Sequence, residues 1–207
     1  MWRLDSFLDD LNAENLRAAL RDPYIGNRIV VVQETTSTND LVWQMAQEKV
    51  ADGLVAFAER QTAGRGQRGN RWESEPHHGL WFSILLRPKI GPAESARLST
   101  WAAQTVATTV QEQLRIKARV KPPNDVYVKE RKIAGVLVEM RVEKDGAYLA
   151  IAGIGVNVNQ NIEDFSEELR TSAGSLAIAT GQRVDRREFA VALLRNLDRS
   201  YRELFVL

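Results

Sequence analysis

Three apolar stretches follow one another almost without pause near the middle of the chain: DVYV from Asp125, KIAGVLVEMRV from Lys132 and AYLAIAGIGVNV from Ala147. Only short polar turns, Lys129–Arg131 and Glu143–Gly146, separate them. Parallel strands need long crossovers, so stretches joined this tightly must pair as antiparallel neighbours. Upstream, RIVVVQ (28–33), LVAFAER (54–60) and GLWFSILLRP (79–88) read as further strands, the last ended by Pro88. Helices are expected from the polar TSTND run through LVWQMAQEK, over Glu94–Leu114, and over 186–204 behind an Asp185 cap. Between the second helix and DVYV, the chain turns through Pro122, Pro123 and Asn124. The expected architecture is α+β, a mixed and largely antiparallel sheet with helices packed on one side. Residues 1–27 read as a short lead-in, with Leu11, Leu16 and Leu20 at near-helical spacing before Pro23 and Gly26. That is too short for a separate DNA-binding domain, and residues 28–207 form the main domain.

Several function classes are excluded early. The net charge of +1 gives no global basic footprint for nucleic acid. Without cysteine there is no disulfide, thiolate metal site or cysteine nucleophile. The two histidines, His77 and His78, are adjacent and make no zinc constellation without distant carboxylates. No apolar run suffices to span a bilayer, and the acidic N-terminus does not read as a signal peptide, so a cytoplasmic protein is expected. The loop GRGQRGNRW (64–72) contains G-x-G-x-x-G, but Pro76 and Gly79 stand where a dinucleotide-binding helix would run. Its glycines allow close backbone approach, and Arg65, Arg68 and Arg71 can fork onto phosphate or carboxylate.

Other segments give the loop a context. KPPNDVYVKERKIAGVLVEM resembles the biotin–protein ligase signature, K-W-P-N-D followed by R-K-[IL]-[AS]-G-[IV]-L-[IV]-E. GRGQRGNRW resembles that family's adenylate-binding loop, Ser37–Thr38–Asn39 its S-T-N, Gln61 its glutamine before the loop, and GIGVNVN (153–159) its G-[IL]-G-[IVL]-N. Singly, each has a plainer reading: a helix cap, turn residues at Asn124 and Asp125, a strand-edge lysine at Lys132, a core indole at Trp72. Their joint occurrence in family order carries the resemblance. Two positions depart from it: Pro122 replaces the usual tryptophan, and Gln67 stands where arginine is frequent. Glutamine there keeps a donor and an acceptor but gives up the charge and the guanidinium fork.

The resemblance implies a class II aminoacyl-tRNA synthetase-like biotin/lipoate ligase fold and a two-step ligation. Biotin and ATP give biotinyl-AMP, and a lysine of a biotin carboxyl carrier domain, of acetyl-CoA carboxylase or a related carboxylase, then takes the biotin. It assigns catalysis to Lys132, Arg68 and Asp125. Biotin would be held by Ser37, Thr38, Asn39 and Gln61, by the loop residues Gly64, Arg65, Gly66 and Gln67, and by Lys132, Gly135 and Gly153. The nucleotide would meet Arg65, Arg68, Trp72, Asn124, Lys132 and Asn157. Magnesium would ride mainly on the ATP phosphates, its protein ligands unassigned. The loop is expected to be mobile when empty and to order over the adenylate. Expected partners are the carrier domain, biotin and ATP, with no nucleic acid and no membrane, and a homodimer is allowed. A lipoate–protein ligase is the nearest alternative, and a non-catalytic biotin-responsive regulator a more distant one. The small β-barrel domain that often follows in this family is expected to be absent or truncated.

Overall fold

The computed structural model describes residues 11–48, 50–143 and 146–206. Among these described residues, seven strands form one sheet: β1 (Ile29–Thr35), β2 (Val55–Gln61), β3 (Gly79–Leu86), β4 (Ala118–Lys121), β5 (Asp125–Val128), β6 (Arg131–Val142) and β7 (Tyr148–Asn157). Their spatial order is β1-β2-β3-β7-β6-β5-β4. Only β1 and β2 pair in parallel; every other neighbouring pair is antiparallel. The mixed, mainly antiparallel sheet expected from the close-set strands is therefore present.

The helices are α1 (Ala13–Ala18), α2 (Thr38–Ala46), α3 (Ser95–Leu114), α4 (Leu176–Thr180) and α5 (Arg186–Tyr201). Leu98, Trp101, Ala102, Thr105, Val106 and Val110 recur at helical spacing and bury one stripe of α3. That stripe joins Phe57, Phe82 and Leu193 of α5 in the main core. Leu11, Leu16 and Leu20 belong to this same core. Asp185 caps α5 as expected, its carboxylate accepting from the Glu188 amide at 2.8 Å. On the opposite face, Val42, Trp43 and Ala46 of α2 pack against Leu54, Ala56, Leu85 and Ile151. The expectation of helices on one side thus holds for α3 and α5, while α2 covers the other face. Being covered on both faces, β3 is buried at all eight residues, which explains its unbroken apolar run.

Two elements had not been anticipated. One is β4, read from the sequence as the lead into the proline turn; its alternation of half-buried and exposed residues spans only four positions. The other is α4, a five-residue helix capped by Ser175. The site's geometry owes most to a register shift between β5 and β6. Val128 and Tyr127 face Arg131 and Lys132, but Val126 and Asp125 face Ala134 and Gly135, leaving Ile133 as a bulge. Simple alternation would put Lys132 and Gly135 on opposite faces. The bulge sends Ile133 and Ala134 into the core together and brings Lys132 onto the face of Asp125 and Gly135.

One charged pair lies deep in the structure. Arg186, at the start of α5, forks onto Glu59 of β2 at 2.8 and 3.2 Å and donates to the Gly79 carbonyl at 3.1 Å. The Arg186 and Glu59 side chains are 1% and 4% exposed.

Candidate active site

A cleft opens on the α2 face of the sheet. Its floor is glycine backbone, because Gly135 of β6 pairs directly with Gly155 of β7, and Leu137 with Gly153. A Cβ on Gly155 would stand 2.5 Å from the Trp72 indole, and one on Gly153 would stand 2.4 Å from Asn39 Oδ1. Side chains on this floor would evict the groups lying over it. Trp72 rests across Gly135 and Gly155, and its face lies 5.4 Å from Lys132 Nζ. The same indole separates the cleft from a second recess bordered by Arg60, Arg71, Glu73 and Gln160.

One wall of the cleft is a connected row of hydroxyls and amides. Gln61 Oε1 accepts from the Thr38 amide at 2.8 Å and from Thr38 Oγ1 at 3.2 Å. Ser83 Oγ, buried in β3, lies 2.7 Å from Thr38 Oγ1 and 2.6 Å from Asn39 Oδ1 and shares one proton between them. Asn39 Nδ2 donates to Glu139 Oε2 at 2.6 Å. Ser37 stands at the N-cap of α2 without a side-chain capping bond, so the plain capping reading does not account for it.

The loop closes over this wall. Trp72 N donates to the Gly64 carbonyl at 2.9 Å, and Gly66 N to that of Asn70 at 2.7 Å, making a small hairpin. Arg65 forks onto both Asp40 oxygens at 2.7 Å and reaches Glu139 Oε2 at 3.3 Å. The Arg65 fork holds the Asp40 carboxyl below its ordinary value of 3.8. The contribution of this latch is therefore complete above that ordinary value and disappears as pH falls through the lower folded one. Because both partners are well exposed, the latch is worth no more than about 1 kcal/mol. Asp40→Asn should accelerate amide exchange at Gly66, Asn70 and Trp72 by up to about fivefold at neutral pH. Unchanged exchange would show that the hairpin bonds alone hold the loop.

On the other side of the floor, Lys132 Nζ lies 2.6 Å from Asp125 Oδ1. Asn124 lines the cleft and donates from Nδ2 to the Val136 carbonyl at 3.1 Å. Of the expected site residues, the structure gathers Ser37, Thr38, Asn39, Gln61, Arg65 and Gly66 along one wall. Gln67, Trp72, Asn124, Lys132, Gly135 and Gly153 complete the cleft, and Asp125 reaches it through Lys132. Three others stand apart. Gly64 is packed under the Trp72 carbonyl. Arg68 is exposed, with left-handed φ of 59°. Asn157 is buried and bonded to Gly174 and Gln160. Ser83, Asp40 and Glu139 were not singled out from the sequence. Two signals were present: a lone serine inside an apolar strand, and a glutamate closing the R-K-I-A-G-V-L-V-E run.

The cleft thus combines a glycine floor on a mixed sheet, a cationic loop over a polar wall and a lysine–aspartate pair opposite. The chain belongs to the biotin/lipoate A/B protein ligase family, whose model matches residues 31–159. Within that family its likeness is to biotin–protein ligases. It is 33% identical over 202 residues to the bifunctional ligase/repressor BirA of Bacillus subtilis, covering 98% of this chain and 62% of that protein. It is also 33% identical to the biotin–[acetyl-CoA-carboxylase] ligase of Mycobacterium tuberculosis, over 87% of this chain and 68% of the relative. The biotin protein ligase of Aquifex aeolicus, solved in complex with biotin and ATP, superposes with a TM-score of 0.72 at 33% identity, covering 85% of this chain and 72% of that one. The chain thus spans less than two thirds of the length of its Bacillus relative.

Proposed function

We propose that this protein activates biotin with ATP to biotinyl-AMP and transfers the biotin to a lysine of a biotin carboxyl carrier domain, of acetyl-CoA carboxylase or a related carboxylase. The observation that carries the reading is the placement of Lys132, turned by the bulge onto the glycine floor opposite the Thr38–Gln61–Ser83 wall. In the first step a biotin carboxylate oxygen attacks the α-phosphorus of ATP. The bond to the bridging oxygen breaks and pyrophosphate leaves with its electrons. An anion must there approach a polyanion, and the role we assign to the Lys132 ammonium is to offset that charge. Arg65 and Arg68 supply further cations once the loop is released from Asp40. Magnesium is assigned mainly to the ATP phosphates, whose negative charge it would offset, with no protein ligand assigned.

In the second step a neutral lysine amine attacks the anhydride carbonyl, AMP leaves, and the amine sheds a proton. We assign that proton to Asp125, freed once Lys132 turns to the phosphate. Asp125→Asn should therefore slow transfer from preformed biotinyl-AMP more than it slows adenylate formation, as separate single-turnover assays would read. Equal losses in the two steps would make Asp125 a positioning residue for Lys132. Cytoplasmic residence and the absence of a nucleic-acid partner belong to the same reading. Among the described residues, no helix is long and apolar enough to cross a membrane.

Incubation with ATP, magnesium, biotin and a carrier domain tests the whole reading, through a mass shift on the carrier. A shift with lipoate in place of biotin would make the protein a lipoate ligase. No shift with either acid, with biotin still bound, would favour a regulator.

A further inference from the structure

The backbone of Lys132 is not held by β7. That strand pairs with β6 from Val142 back to Ala134. Two more residues of the same ladder would bring it beside Lys132, but β7 ends at Asn157. Residues 172–174 take its place. The Lys132 amide donates to the Ser172 carbonyl at 2.8 Å, and the Gly174 amide donates to the Lys132 carbonyl at 2.9 Å. Ala173 thereby forms a parallel bridge to Lys132 outside the seven strands. Both polar backbone groups of the lysine are thus bound to a segment that is not part of the sheet.

The neighbouring arginine fastens that segment. Arg131 Nη1 donates to the Arg170 carbonyl at 2.6 Å and to the Ala173 carbonyl at 2.8 Å. A Cβ on Gly174 would stand 2.8 Å from Arg131 Cβ and 3.2 Å from its Cδ, so the segment lies directly on the arginine stem. Ahead of it, residues 166–172 are mostly exposed turn, the kind of stretch that opens locally unless something anchors it. Arg131 pairs with Val128 and Lys132 with Tyr127, so alternation sends the two side chains to opposite faces of β6. Arg131 is not among the residues that line the cleft. Its influence on the site must therefore pass through the backbone of Lys132. An ammonium on a four-carbon stem moves with its Cα, and a displacement of about 1 Å at a reacting centre costs up to about 10²-fold in rate.

We infer that Arg131 is a positioning residue for Lys132: by pinning residues 170–174 it fixes the backbone from which the ammonium is presented. The inference rests on the function proposed above. Arg131→Met keeps the stem and removes the donors. At saturating biotin and ATP it should slow single-turnover formation of biotinyl-AMP about tenfold. Amide exchange at Lys132 and Gly174 should quicken in the same variant, while exchange along β3 stays unchanged. In a Lys132→Ala background no ammonium remains to be placed, and there the same substitution should change the rate by less than about twofold. Arg131→Lys retains a donor for the two carbonyls and should recover part of the loss. A wild-type rate in folded Arg131→Met would overturn the role while leaving the enzyme reading intact. An equal loss in both backgrounds would overturn it too, because Arg131 would then act apart from Lys132. A wild-type protein that makes no biotinyl-AMP would overturn the enzyme reading itself, and this role with it. Should Arg131→Met fail to fold, Gly174→Ala displaces the segment from the arginine stem instead and should give the same loss, confined to the background that has Lys132.

Discussion

Lys132→Ala should slow biotinyl-AMP formation by at least about 10²-fold, the scale of losing one preorganised charge at a reaction centre. The fold should survive. Lys132 takes no part in the core, its side chain is 30% exposed and meets the Asp125 carboxylate and the Trp72 ring, and its backbone bonds to Ser172 and Gly174 are kept in the alanine variant. The bulge that positions it is anchored by Ile133 and Ala134, which the substitution leaves in place. Lys132→Arg keeps the charge but spreads it over a wider fork, so it should recover only part of the rate. Pyrophosphate release per turnover measures the effect. A folded alanine variant releasing pyrophosphate at the wild-type rate would remove Lys132 from the chemistry.

Stability should respond most sharply to the buried pair. Glu59→Ala strands the Arg186 guanidinium, 1% exposed, with only part of its bonding left, and should cost about 3–5 kcal/mol. In a chain of this size that lowers the melting temperature by on the order of 10 °C. Replacing both partners, as Glu59→Leu with Arg186→Met, removes the desolvated charges together and should recover most of the loss. Thermal denaturation of the two single variants and the double variant reads the coupling directly. A loss below about 1 kcal/mol in Glu59→Ala would mean that water reaches the pair and screens it.

Much of this architecture is visible in the residues themselves. The close-set strands of β5, β6 and β7 could pair only as antiparallel neighbours, and the S-T-N, G-R-G-Q-R-G and R-K-I-A-G motifs do lie around one cleft. What stayed hidden depended on tertiary placement. No local pattern announces the bulge at Ile133, yet without it Lys132 would point into the core side of the sheet. β4 is too short and too charged to stand out, and exists because β5 offers it an edge. Arg68 and Asn157 illustrate the opposite limit. Each stands in a matching motif, but Arg68 faces outward and the Asn157 amide is committed to Gly174 and Gln160. The partners of Arg65 were equally out of reach, since Asp40 and Glu139 lie 25 and 74 residues away along the chain.

The sharing of Glu139 has a thermodynamic consequence. One carboxylate oxygen, Oε2, receives both the Asn39 amide and the Arg65 guanidinium. Any ligand that pulls Asn39 toward itself leaves that oxygen to Arg65 and strengthens the hold on it, and any anion that draws Arg65 away leaves more of Glu139 for Asn39. The wall and the lid are thus coupled through a single atom, and linkage requires that coupling to be reciprocal. By whatever factor occupancy of the wall shifts the equilibrium of the lid, movement of the lid shifts the affinity of the wall by the same factor. Cooperativity between the two halves of one cleft then follows without a second subunit.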